Sequence, residues 1–268
     1  MIGRLNGNTA VITGGGRGIG RSIALAMAKE GADIVVASDV ESELHAVVAE
    51  ITGLGRRALA HVLDVTSPEA VTRFADLVKD HFRNARILVN NAGIVGKRSF
   101  ITQSDDAIWR RTIEVNLFGT YHCTKAFLPE IIEQGKGRII NMASISGKQA
   151  SPTNSAYAAS KHGVIGITRT VAAELGILGL TDITCNAVCP GVVNTTMLTG
   201  PGMILDELSQ LLGTSREQVL EERIKTLNIQ HRVMDPEEIA AMTVFLASDD
   251  ARGITGQALN VCGGSVFY

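Results

Sequence analysis

The sequence predicts an α/β protein of one domain, in which short apolar strands alternate with helices. Three observations carry that expectation. Brief apolar runs recur along the chain, from Thr9–Thr13 to Ala258–Val261, and each suits a buried strand. Most are separated by helical patterns of about a dozen residues, the spacing of βα units. The 268 residues hold no repeat, linker or low-complexity tract to mark a second domain, and α/β folds of this size are often a single unit.

Composition narrows the function. Charged residues make up 19% of the chain and the formal net charge is −2, so no basic footprint points to nucleic acid. No segment offers the ~18 uninterrupted apolar residues of a membrane span. Met1 to Asn8 is short and polar and lacks the apolar region of a secretory signal. Cys123, Cys185, Cys189 and Cys262 show no metal-site spacing, which predicts buried free thiols in a reducing compartment and no bound metal. A soluble, cytoplasmic protein is expected.

The first strand, Thr9–Thr13, runs into Gly14-Gly15-Gly16-Arg17-Gly18-Ile19-Gly20 and then an alanine-rich helix from Arg21 to Glu30. A glycine-rich turn at a helix N-terminus lets the backbone approach a pyrophosphate and offers free N–H groups at the positive dipole end. The spacing is T-G-x-x-x-G-x-G rather than G-x-G-x-x-G, and its place between strand and helix gives it weight. The second strand, Asp33–Ser38, ends at Asp39. That is near the point about 20 residues on where an acidic group holds a ribose hydroxyl. A capping or loop aspartate before Glu41 is the alternative.

Next come a helix around Glu41–Thr52, a strand at Arg57–Leu63, and Asp64-Val65 at that strand's carboxyl end. Ser67-Pro68-Glu69 starts a helix with an N-cap and a proline at its first position. The strand Ile87–Asn90 enters the loop Asn90-Asn91-Ala92-Gly93. A long helix, about Thr112–Gln134, carries Asn116 among Val115, Leu117 and Phe118. A buried asparagine is costly unless its amide is paired, so Asn116 is a structural tie or part of a polar site. The strand Gly137–Ala143 ends at Ser144, and Ile183–Val188 meets Cys189-Pro190-Gly191-Val192-Val193-Asn194-Thr195. Residues 198–229 leave the alternation and suit a substrate lid. A helix capped by Asp235-Pro236-Glu237-Glu238 and a last strand, Ala258–Val261, follow.

The run Tyr157-Ala158-Ala159-Ser160-Lys161, with Ser144 upstream, carries the chemistry. On a helix Tyr157 and Lys161 project from one face, a turn apart. A phenol titrates near pH ~10, and a neighbouring ammonium lowers that value. Tyr157 then exchanges a proton with an alcohol or carbonyl oxygen near neutral pH. The plainer reading is an exposed Tyr and Lys at a common spacing. His162, on the far side of the helix from Tyr157, is read as packing.

These residues resemble the classical short-chain dehydrogenase/reductase family over nearly the whole chain. Thr13-Gly14-x-x-x-Gly18-x-Gly20 is similar to its cofactor loop, Asn90-Asn91-Ala92-Gly93 to its central-strand motif, and Pro190-Gly191 to its nicotinamide-side turn. Asn116, Ser144, Tyr157 and Lys161 match its catalytic tetrad in order. The resemblance implies a Rossmann-like, doubly wound sheet of about seven parallel strands with cofactor across its carboxyl edge. Tyr157 is then the general acid or base and Ser144 holds the substrate oxygen. Lys161 binds the nicotinamide ribose and lowers the tyrosine pKa, and Asn116 positions a water of the proton relay. Gly14, Arg17, Gly18, Ile19 and Gly20 belong to the cofactor loop. Asp64 and Val65 would contact adenine, and Asn91, with Ala92 and Gly93, the adenosine side. Pro190, Val193 and Thr195 would lie along the nicotinamide.

One departure bears on cofactor choice. Ser38 stands where NAD-dependent relatives usually carry an acid, and Asp39 holds the next position, often arginine in NADP-dependent ones. Arg17 favours a 2′-phosphate, whereas the Asp39 carboxylate repels one. NAD is expected, with NADP the alternative. The predicted activity is hydride transfer between the nicotinamide and a secondary alcohol or ketone. An NADPH-dependent 3-ketoacyl reductase and a non-catalytic dinucleotide sensor are the rivals. Val95, Ile145, Lys148, Gln149, Met197, Leu198, Met203 and Leu208 are candidate pocket residues. Lys148 and Lys97 are candidate partners for a substrate carboxylate or phosphate, with solvated surface lysines the plainer reading. The helices around Thr112–Gln134 and Ala156–Gly176 are too apolar to face water, and a homotetramer is expected.

Overall fold

A computed structural model describes residues 3–268. Seven parallel strands form one sheet in the order β3-β2-β1-β4-β5-β6-β7. They are β1 Thr9–Thr13, β2 Asp33–Ser38, β3 Ala58–Val62, β4 Ala85–Asn90, β5 Gly137–Met142, β6 Ile183–Pro190 and β7 Ala258–Val261. The chain winds outward from β1 to β3, then returns beside β1 and winds the other way. The order therefore reverses between β1 and β4, where α/β sheets open a crevice at the strands' carboxyl ends.

Alternation along each strand feeds two cores. Ala10, Ile12, Ile34 and Val36 pack on one face against α1 Gly18–Lys29, α2 Glu41–Gly53 and α10 Pro236–Ala247. Val11, Val35 and Leu88 face α3 Pro68–His81, α5 Gly119–Glu133 and α6 Ser155–Ile177. The predicted caps are present. Ser67 accepts from the Ala70 N–H ahead of α3, and Asp235 with Glu238 forms a capping box on α10. All four cysteines are buried and free. No helix among the described residues is long and apolar enough to cross a membrane.

Of the boundaries that differ from the sequence reading, three bear on the site. The first helix starts at Gly18, not Arg21, so Gly18, Ile19 and Gly20 form its first turn. The long helix expected from Thr112 begins at Asp106 and is interrupted. α4 Asp106–Ile113 leads into a π turn, Glu114–Phe118, before α5. α4 buries only Thr112, so no apolar periodicity announces it; its signal is Asp105, whose carboxylate accepts from the Ala107 and Ile108 N–H groups. Third, β6 continues to Pro190.

The insertion folds into short helices, α7 Thr196–Thr199, α8 Ile204–Leu212 and α9 Arg216–Gln218, followed by a π turn, Val219–Ile224. It has its own small core of Leu198, Leu205, Val219 and Ile224, separate from the two sheet cores. Leu198, expected to line a substrate pocket, belongs to that core.

Candidate active site

The turn after β1 is shaped for close backbone approach. A Cβ on Gly14 would lie 2.9 Å from Ala92 Cα, and one on Gly20 would lie 2.0 Å from the Gly14 carbonyl oxygen. Gly14 also has a left-handed φ of 62°, which only glycine adopts freely. Arg17, the N-cap of α1, makes no side-chain cap, and the first helical turn carries no acidic group. The first-turn amides of Gly18, Ile19 and Gly20 are thus open to an anion at the positive end of the helix. Thr195, the N-cap of α7, closes the far side, its Cγ2 being 3.3 Å from where a Gly18 Cβ would lie. A dinucleotide's pyrophosphate fits this set of donors.

Thr13 and Asn91 brace the turn. Thr13 Oγ1 accepts the N–H groups of Asn91 and Ala92, each at 3.1 Å. Asn91 Nδ2 donates to the carbonyls of Thr13 at 3.1 Å and Gly14 at 3.0 Å. Asn91, expected on the adenosine side, therefore spends its amide protons on the glycine turn. Beyond the turn, Ser38 Oγ accepts from the Val40 N–H at 3.2 Å, and Asp39 is exposed. The sequence reading passed over Glu43 on α2. Its Oε2 lies 3.3 Å from where a Gly16 Cβ would be, and its Oε1 pairs with Arg17 Nη1 at 3.3 Å.

Asp64 and Val65 flank this edge as braces. Burial pushes the Asp64 pKa up, but bonds from Thr66 and the charge of Arg111 outweigh that and hold it below the usual range. Val65 is buried against Gly119. On the opposite wall the Gly191 N–H, after Pro190, donates to the Val261 carbonyl at 3.0 Å, and Val193 is buried beside Met234 in a parallel bridge.

The four tetrad residues converge at the carboxyl ends of β4 and β5. Asn116 is fully buried in the π turn, and its Oδ1 accepts from the Ile94 N–H at 2.8 Å. Its Nδ2 donates to the Ile94 carbonyl at 2.9 Å and to Ser160 Oγ at 3.0 Å. Ser160 Oγ in turn donates to the Tyr157 carbonyl at 2.7 Å. Asn116 is thus a tie from the β4 loop to α6. Both amide protons are taken by protein partners, so the implied water-positioning task does not fall to its side-chain NH2. Gly93 leaves room for the tie: its Cβ would lie 3.2 Å from Asn116 Oδ1 and 3.5 Å from Lys161 Nζ.

Burial raises the Tyr157 pKa above its ordinary value, while Ser144 and the charge of Arg98 pull it partly back. Lys161 is buried, donates from Nζ to the Met142 carbonyl at 2.7 Å and lies 5.6 Å from the Tyr157 ring centroid. Burial lowers its own pKa to about 8. The tyrosine shift is upward and dominated by burial, which corrects the expected lowering. Lys161 is turned onto the last carbonyl of β5, and Arg98 is a second cation whose charge reaches the phenol.

Arg98 carries no motif or periodicity in the sequence to set it apart from its exposed neighbour Lys97. Arg98 Nη1 reaches Thr153 Oγ1 at 3.5 Å, and its buried Nε has no hydrogen-bond partner. Its main-chain N–H donates to Glu207 Oε1 on α8 at 3.4 Å, and Glu207 Oε2 is also buried and unpartnered. Lys148 is no solvated lysine: its Nζ donates to the carbonyls of Ala258 at 2.6 Å and Tyr268 at 2.5 Å. His162 is exposed, with Nδ1 at 2.9 Å from the Ala158 carbonyl, and does no packing.

Comparisons with known proteins agree with this geometry. The family model described as short chain dehydrogenase matches residues 8–201. A D-beta-hydroxybutyrate dehydrogenase of Rhizobium meliloti (strain 1021) is 38% identical over 261 residues, which are 96% of this chain and 97% of that one. The crystal structure of an actinorhodin polyketide ketoreductase with NADPH has a TM-score of 0.88 at 34% identity, covering 100% of both chains. That of carveol dehydrogenase from Mycobacterium avium with NAD has a TM-score of 0.89 at 31% identity, covering 98% of this chain and 99% of that one. On the family match and on identity along nearly its whole length, the chain belongs to the short chain dehydrogenase family.

Proposed function

We propose that this oxidoreductase moves a hydride between NAD and a secondary alcohol or ketone, with Tyr157 as general acid and base. The observation that carries the reading is the convergence of Asn116, Tyr157 and Lys161, with Lys161 Nζ 5.6 Å from the Tyr157 ring centroid, on the same sheet edge as the open amides of α1. The nicotinamide, when bound, supplies the hydride exchange. Gly14, Gly18, Ile19 and Gly20 hold the pyrophosphate, with Ala92, Gly93, Pro190, Val193 and Thr195 along the same groove. Ser144 holds the reacting oxygen, and Tyr157 gives or takes a proton at that oxygen. With its pKa raised, the phenol keeps its proton at neutral pH and suits donation to a carbonyl. Lys161, poised near pH 8, passes protons onward and orients the nicotinamide ribose. Residues 198–229 act as a lid.

The preference for NAD rests on charge. Asp39 and Glu43 border the adenosine side, and Glu43 already occupies Arg17. Two carboxylates repel a 2′-phosphate, and the guanidinium that would attract it is spoken for. Comparing kcat/KM for NAD and NADP in wild type, Asp39→Ala and Asp39→Arg tests this. NAD preference that narrows in the alanine variant and reverses in the arginine variant supports the reading; a wild type that prefers NADP ends it. An NADPH-dependent ketoacyl reductase is the second reading, favoured by the similarity to the actinorhodin ketoreductase. The same comparison, run with an acyl thioester ketone, separates the two.

We infer a homotetramer in a reducing, cytoplasmic setting. Phe118, Tyr121 and Ile177 are exposed on the α4–α5 and α6 helices, and all four thiols are free. Light scattering at micromolar concentration checks the assembly, and a monomer contradicts it.

A further inference from the structure

Among the described residues, two buried charged groups with unpartnered atoms face each other between the loop after β4 and the insertion. Folded proteins leave few buried polar atoms without partners, and those that remain call for an explanation. Two of them here belong to opposite charges on facing elements. Arg98 Nε is a buried donor without an acceptor, and Glu207 Oε2 is a buried acceptor without a donor. The only hydrogen bond between the two residues runs from the Arg98 main chain to Glu207 Oε1 at 3.4 Å, so the guanidinium's own donors stay free for something else. Thr153 Oγ1 takes Nη1 weakly, at 3.5 Å. Arg98 touches Thr153 in the segment that leads into α6, the helix of Tyr157, and its charge is felt at the phenol, so the pair belongs to the same end of the sheet as the proposed reacting oxygen.

We propose that Arg98 and Glu207 form a recognition pair for a hydroxy acid, or its oxo counterpart, that carries a carboxylate and at least one hydroxyl besides the reacting one. The carboxylate accepts from Arg98 Nε, as guanidinium donors favour planar anions. The extra hydroxyl donates to Glu207 Oε2. A neutral alcohol leaves the buried Arg98 Nε without an acceptor, and a dicarboxylate sets a second negative charge against Glu207. The ranking follows: polyhydroxy monocarboxylates first, then simple hydroxy acids, then dicarboxylates and neutral alcohols. Glu207 stands on α8, so the same contact draws the insertion toward the β4 loop. This assignment rests on the oxidoreductase reading for its substrate but not for its ligand.

The chain has one tryptophan, Trp109, and it lines a small cavity together with Thr153, the hydroxyl that Arg98 touches. Its fluorescence gives a binding signal independent of turnover. The full-length protein with NADH bound is titrated with a panel of tetronates, pentonates and hexonates, each paired with its primary amide. We expect the best acid to bind at least about 10-fold more tightly than its amide, the size of a charge-assisted hydrogen bond. Arg98→Gln erases that difference by weakening the acid alone, and Arg98→Lys restores part of it. Glu207→Gln admits the matching dicarboxylates and flattens the preference for extra hydroxyls. NADH affinity stays unchanged in all three variants, which shows that they fold. Equal binding of acid and amide in wild type, equal losses of both in Arg98→Gln, or no binding by any acid overturns the proposal. Turnover of neutral secondary alcohols with no acid bound sinks the pair and leaves the reaction standing. Arg98-dependent acid binding without turnover of any alcohol sinks the reaction and leaves the pair.

Discussion

The two walls of the cleft are made differently. The cofactor wall, from the glycine turn to Asn91, is a closed hydrogen-bond account: Thr13 Oγ1 takes two main-chain donors, and Asn91 returns two to the turn. The groups it offers an anion are backbone amides at a fixed helix end. The substrate wall holds open ends, Arg98 Nε and Glu207 Oε2, and leans on an insertion with a separate small core. The contrast matches the tasks. A shared dinucleotide is met by geometry that the backbone itself dictates, whereas a particular substrate is met by side chains on loops that leave valences for it.

Substitutions can break or sharpen this contrast. The largest effect is expected at the point where the walls meet. Tyr157→Phe removes one transferable proton and should lower turnover by about 10²–10⁴-fold with NADH affinity preserved. Near-normal turnover in the purified variant would remove Tyr157 from the mechanism.

Lys161 comes next. Its folded pKa of about 8 is below its ordinary 10.5, so between those values the unfolded chain binds more protons. Burying the ammonium therefore costs stability below pH 8, and the cost is relieved as pH rises toward 10.5. Wild type should gain up to about 3 kcal/mol on Lys161→Met across that window in urea unfolding. Buried Cys123 and Cys185, both pushed up to about 12, pull the absolute curves the other way above pH 9 in both proteins, so the difference is the quantity to read. A difference that stays flat with pH would show that Lys161 is not held desolvated.

Thr13→Val tests the braced wall. It leaves the Asn91 and Ala92 N–H groups without their acceptor and should cost about 1–3 kcal/mol of global stability, with NADH binding weakened as the turn loosens. A neutral result would mean the turn is held by sterics alone. The smallest effect belongs to the insertion. Ser215 and Gln218 form a capping box at α9, and Ser215→Ala should remove about 1 kcal/mol locally. Faster amide exchange confined to residues 204–227, with an unchanged urea midpoint, is the expected result. A lowered midpoint would show that insertion and sheet unfold as one.

Much of this was legible in the chain. Strand positions followed from apolar runs, α3 and α10 from Ser67-Pro68 and Asp235-Pro236, and the close turn after β1 from glycines such as Gly14 and Gly20, where a Cβ would meet backbone. The tetrad was recognisable as residue types in order. Each of these is local: a turn, a cap or a strand is decided by a few neighbouring residues and by what their backbones and side chains permit.

The tertiary structure decided the partners. Asn91 turned out to brace a turn 77 residues earlier in the chain, and Asn116 to tie across 44 residues to Ser160 within a π turn that no periodicity marks. Lys161 sits on the Met142 carbonyl, Arg98 adds a second charge felt at the phenol, and Arg98 meets Glu207 across 109 residues. Whether a lysine or an arginine sets a tyrosine's pKa depends on burial and on distances of a few ångströms, and these exist only once the sheet has brought its loops together. The sequence by itself determined the fold and the kind of chemistry; the packed structure decided which charge faces which group.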